Sequence, residues 1–132
     1  MPSAIDNWKT PADPLVDSLI LLQGEGLVYG LDVEDDAGLV DLTGIPLRMQ
    51  FRVHPEDSAA LLSIDASTSS GSRIHSPAAG QIDIIITEAA AALLPLGKCQ
   101  GDLFADWQYG SDLVPQRLLT LSLEIRKAST RR

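Results

Sequence analysis

The chain has 132 residues, 45% of them hydrophobic, and its 18 acidic side chains outnumber 10 basic ones to leave a formal net charge of -8. That length suits one domain with a core large enough to fold without covalent staples, and a single cysteine, Cys99, rules out an intrachain disulfide. The acidic balance sets most of the surface against phosphate backbones, so no nucleic-acid partner is expected.

Residues 1–14 carry Pro2, Pro11 and Pro14 and few periodic apolar positions, which predicts an extended arm ahead of one domain over 15–132. The opening residues show neither a basic segment nor an apolar run before a cleavage site, so no signal peptide is expected. No apolar run approaches the roughly 20 residues of a membrane helix. The expectation is a protein made in, and soluble in, a cytoplasm, with no membrane contact. Trp8 is the aromatic exception on the arm: it either packs back over the domain or anchors a neighbouring subunit.

Leu15 to Leu22 reads as a first strand, turned by Gln23-Gly24-Glu25-Gly26. Leu27, Tyr29, Leu31 and Val33 then alternate with Val28, Gly30 and Asp32 in a second. In the acidic stretch that follows, Asp32, Glu34 and Asp36 have the one, three, five spacing of a calcium loop. The glycine, Gly38, comes one place late and Thr43 stands where a bidentate Glu is needed, so a solvated acidic hairpin without metal is expected.

Asp41-Leu42-Thr43-Gly44 punctuates the chain before its clearest strand, in which Leu47, Met49, Phe51 and Val53 face one way and Arg48, Gln50, Arg52 and His54 the other. After a turn at Pro55-Glu56-Asp57, Ala60, Leu62 and Ile64 start a short strand. Ser67 to Ser72 is polar and of low complexity and reads as a mobile loop. Arg73-Ile74-His75 pairs briefly. Ile82, Ile84 and Ile86 alternate with Gln81, Asp83 and Thr87 in another strand that Ile85 thickens, and Thr87 caps a short alanine-rich helix that Pro95 and Gly97 end. Leu103, Ala105, Trp107 and Tyr109 form an inward face, Gly110-Ser111-Asp112 a hairpin turn, and Leu113 to Ile125 the longest strand. Seven or eight short strands at near-regular spacing, with one helical turn, predict an all-β fold, a two-sheet antiparallel sandwich.

Chemistry is sparse. Of the two histidines, His54 reads as a surface residue at a strand end, while His75 next to Ser76 could be drawn into a triad with Asp83. No Gly-x-Ser-x-Gly elbow accompanies it. Two His and one Cys match no zinc pattern, and Gly24-Glu25-Gly26 lacks the third glycine of a dinucleotide loop. Catalytic, cofactor-binding and metal residues are expected to be none, with Cys99 a buried filler or, alternatively, a reactive thiol.

The order of short motifs carries a resemblance. Gly38, Asp41-Leu42-Thr43-Gly44, the strand to Arg52, Gly80-x-Ile82-x-Ile84-x-Ile86-Thr87, Leu94-Pro95-x-Gly97, Asp102-Leu103 and Thr130-Arg131 follow one another as in bacteriophage and prophage baseplate or tail-accessory proteins, over about residues 26 to 131. The chain resembles the immunoglobulin-like N-terminal domain of baseplate upper proteins. It departs where Cys99 and Gly101 replace aromatics usual after the Leu-Pro-x-Gly turn, which should thin the core near the penultimate strand, and where Ser122 replaces a glycine. The resemblance implies an immunoglobulin-like sandwich and a non-enzymatic structural or assembly role, acting on other tail proteins or as a homo-oligomer. Trp8, Tyr109, Arg126 and Arg131 are the candidate partner contacts. The alternative is a free-standing module that recognises a carbohydrate or host protein through its end loops.

Overall fold

The computed structural model describes residues 15–35, 38–54, 56–67, 70–76 and 80–127. Trp8, Arg131 and the expected arm over 1–14 lie outside the described residues. Among the described residues, ten strands and one helix follow in order: β1 (Leu15–Leu22), β2 (Leu27–Asp32), β3 (Glu34–Asp35), β4 (Gly38–Leu39), β5 (Leu47–Arg52), β6 (Leu62–Asp65), β7 (Arg73–His75), β8 (Gln81–Ile86), α1 (Glu88–Ala92), β9 (Gly97–Tyr109) and β10 (Asp112–Arg126). A five-stranded sheet, β1-β10-β9-β5-β6, faces a three-stranded sheet, β2-β8-β7, while β3 and β4 form a separate small hairpin.

The two sheets close on each other because period-two apolar residues leave one face of each strand dry. From the larger sheet come Met49, Phe51, Leu103, Ala105, Trp107, Leu119, Leu121 and Leu123, and from the smaller Ile74, Ile82, Ile84 and Ile86, each at most 2% exposed. Leu42 and Leu94 close the flanks of the same cluster. No polar or charged residue is buried among those described. Their burial is the main stabilising term, at about 1.5–3 kcal/mol for each large apolar side chain taken from water.

β1 departs from the antiparallel expectation. It lies parallel to β10, with Leu15 opposite Leu119 and Leu22 opposite Arg126. The turn after β1 sends the chain across to the other sheet, so β1 has no hairpin mate and its direction is free to match that of β10. The remaining strand pairs are antiparallel.

β9 begins at Gly97, six residues earlier than its inward alternation at Leu103 announces. In β10 the register shifts between Arg117 and Leu119, a bulge that lets two consecutive residues, Leu118 and Leu119, both be buried.

The expected thinning of the core at Cys99 and Gly101 does not occur. A Cβ built at Gly101 would lie 2.6 Å from Phe51 Cδ2 and 2.8 Å from Met49 Cε. The aromatic volume missing from β9 is supplied by β5, whose Phe51 pairs directly across from Gly101. Cys99 is buried beside it, and burial raises its thiol pKa.

The serine-rich stretch, of which residues 68 and 69 lie outside the described ones, is tied at its last residue to the start of the helix. At its end, Ser72 Oγ accepts the Thr87 N–H at 2.9 Å, and Thr87 Oγ1 in turn accepts the Ala90 N–H at 3.3 Å as the helix cap.

Candidate functional site

The feature of the surface that departs most from a closed sandwich is the β9–β10 hairpin. β5 accompanies β9 only as far as the pair Leu47 and Ala105, and β1 accompanies β10 only from Leu119 onward. Beyond those points the hairpin projects as a two-stranded ribbon, turned at Gly110, whose φ of +62° suits glycine.

Its base is locked. Trp107 is 1% exposed and its Nε1–H donates to Gln116 Oε1 at 2.9 Å across the ribbon. On the outer face Arg48 grips Asp106 with Nε at 2.9 Å and Nη2 at 3.2 Å, and its guanidinium sits 4.7 Å from the centroid of Phe104. Such a bidentate, ring-stacked arginine stiffens the strand pair on which the ribbon stands.

Its tip is apolar and wet. Tyr109 is 59% exposed, Leu113 63% and Val114 38%. Pairing of Leu113 with Gln108 and of Val114 with Trp107 sets these two side chains on opposite faces of the ribbon. An apolar surface on both faces of a projecting hairpin has nothing in its own sheet to bury against. Tyr109 was legible from sequence as a candidate contact, but as part of an inward face; the ribbon carries it past the core, where that face looks onto solvent. Leu113 and Val114 open the long strand expected from Leu113 to Ile125, an expectation that assigns them no exposure. The signal in the sequence was the string Leu113-Val114-Pro115, because proline keeps to edges and unpaired ends of sheets.

Among the other sequence candidates, Arg126 ends β10, half-exposed, with its Nε on the Glu124 carboxylate. Of the residues His75, Ser76 and Asp83, His75 and Asp83 are cross-strand neighbours in register. The Ser76 hydroxyl, however, donates to the Gln81 carbonyl at 2.8 Å rather than to the imidazole. His54 and His75 are both exposed. Of the acidic trio, Asp32 and Glu34 are exposed and Asp36 lies outside the described residues; no group of three or more metal-ligating side chains gathers among those described. No helix of the described residues is long and apolar enough to cross a membrane.

A second polar constellation lies at the open edge of the sandwich. Tyr29 on β2 donates its hydroxyl to Asp17 Oδ2 at 2.7 Å, and the Ser18 N–H donates to Asp17 Oδ1 at 2.8 Å. Partial burial of the phenol, then the Asp17 hydrogen bond and charge, push the Tyr29 pKa up to about 12. The tyrosine and amide hydrogen bonds hold the Asp17 carboxyl below its ordinary value.

The chain matches no known family model and no curated protein. Among solved structures it is similar to Amebosin, with 11% identity, a TM-score of 0.38, and coverage of 86% of this chain and 99% of that one. A likeness at that level carries no argument about fold or function.

Proposed function

We propose that this chain is a non-enzymatic structural or assembly protein of a phage or prophage tail or baseplate, built as an immunoglobulin-like sandwich and acting through protein–protein contacts. The observation that carries the contact role is the projecting β9–β10 hairpin, rigid at Trp107 and apolar at Tyr109, Leu113 and Val114. A pre-ordered ribbon loses little conformational freedom on docking, and exposed aromatic and aliphatic side chains at its tip supply the area that desolvates.

The order β1-β10-β9-β5-β6 against β2-β8-β7 supports the immunoglobulin-like reading. It sets the last two strands beside the third major strand in one sheet and three intervening strands in the other, as variable-type domains do. The phage assignment rests on the order of the sequence motifs from Gly38 to Arg131. Its partners would be other tail proteins or further copies of itself, with Trp8, Arg126 and Arg131 as additional contacts. The protein would be made in the bacterial cytoplasm and carried in the virion tail.

The test is to purify particles from an induced host and look for this chain in them, with Tyr109→p-benzoylphenylalanine as a photo-crosslinking variant. Light should join position 109 to another tail protein, while the same residue placed at Asp65, on the far edge strand β6, should not. A chain missing from purified particles overturns the tail assignment. Capture of a host-surface protein or glycan by the free protein would instead favour a binding module.

A further inference from the structure

We propose that the outer edge of β1 is a self-pairing surface held closed by Asp17, and that withdrawing this carboxylate lets β1 pair with β1 of a second copy.

The hydrogen bond from Gln23 N to Arg126 O, at 2.8 Å, fixes which way the strand faces. In a parallel ladder alternate residues serve one neighbour, so Asp17, Leu19 and Leu21 turn their backbone groups to β10. Val16, Ser18, Ile20 and Leu22 therefore turn theirs to the open side. Of these, the Leu22 carbonyl accepts the Glu25 N–H at 3.0 Å and the Ser18 N–H is taken by Asp17. Asp17 is itself held by Tyr29, reaching from the other sheet.

Among the described residues nothing else protects the edge. β1 spans eight residues and has no proline or lysine, which are the usual guards of an open edge. Val16 and Ile20 on its outer face are 73% and 58% exposed. By contrast β6 and β7, the far edges of the two sheets, have only four and three residues and carry Asp65, Arg73 and His75.

The occupant that fits is a second copy, because one antiparallel register is self-complementary. With Ser18 on a two-fold axis, Val16 lies opposite Ile20 of the second copy and Ile20 opposite its Val16. Three hydrogen-bonded residue pairs then form with apolar neighbours on the outer face. A shift of two residues one way sets Asp17 against Asp17. The opposite shift requires the Leu22 carbonyl, which is already engaged. The outer face of β1 also carries no charge, so copies with a net charge of -8 repel each other less there than at their charged surfaces. The one obstacle at the centre of this register is the Asp17 carboxylate on the Ser18 amide.

The experiment is molar mass by light scattering over a concentration series, read relative to the wild type so that any association through the hairpin cancels. Asp17→Ala should double the wild-type mass. Asp17→Asn, whose amide oxygen still accepts from Ser18, should leave it unchanged. The double variant Asp17→Ala with Ile20→Lys should return to the wild-type value. Tyr29→Phe loosens the carboxylate without altering β1, and should double the mass at higher concentration than Asp17→Ala. An Asp17→Ala or Tyr29→Phe protein that keeps the wild-type mass throughout, or a doubling that survives Ile20→Lys, overturns the proposal. The tail assignment is untouched by either result, since it is read from purified particles.

Discussion

Gly101 and Phe51 act as one unit, a ring laid where a side chain is missing. Gly101→Ala should destabilise the fold by about 1–3 kcal/mol through overpacking, because the methyl group meets Phe51 and Met49 in fully buried surroundings. Gly101→Ala combined with Phe51→Leu should cost less than the sum of the two single changes, as urea unfolding of all three variants would reveal. Tyr29 supplies a second test at this scale. Its pKa is raised, so the phenol stays protonated in the folded chain after it has begun to ionise in the unfolded one. Its contribution is complete below about pH 10 and is lost as pH rises toward 12. Absorbance titration should show a late phenolate that Tyr29→Phe removes. Asp17→Asn should bring it down only part of the way, since burial is the larger cause. Cys99 is predicted to react with a thiol reagent at pH 8 no faster than the protein opens, being buried and raised in pKa.

Among elements, the strands were legible wherever one face is dry and the other wet, as in Leu47 to Arg52 and Gln81 to Ile86, because burial on one side imprints a period of two. The first half of β9 was not legible, since Gly97 and Gly101 interrupt the apolar signal and the side chain that fills the gap belongs to β5. The helix was legible from its cap and alanines, but not the tie that fixes its start. Thr87 donates its own amide N–H to Ser72 Oγ, fifteen residues earlier. Thr87→Ala should cost about 1 kcal/mol, and Ser72→Ala in the same background should add less than it does alone, because the two hydroxyls share one network. The hairpin site was half legible. Tyr109 stood out as a candidate contact beside the hairpin turn, whereas the exposure of Leu113 and Val114 depends on where β5 and β1 stop, and no local pattern encodes that.

At the scale of the whole molecule, two apolar-faced sheets follow from the number and spacing of the strands, but the direction of β1 does not. A strand whose next neighbour in sequence lies in the other sheet takes its orientation from a partner about a hundred residues away, and pattern alone cannot name that partner. The parallel pairing has a mechanical consequence. β1 enters the sandwich where Leu15 meets Leu119, and β10 leaves it at the opposite end, where Arg126 lies beside Leu22. Tension applied through the two flanking segments therefore slides these strands past each other along their length and loads the ladder in shear, with its eight residue pairs sharing the force at once instead of unzipping singly. A domain tethered in this way could transmit a pull from one neighbour to the next without opening.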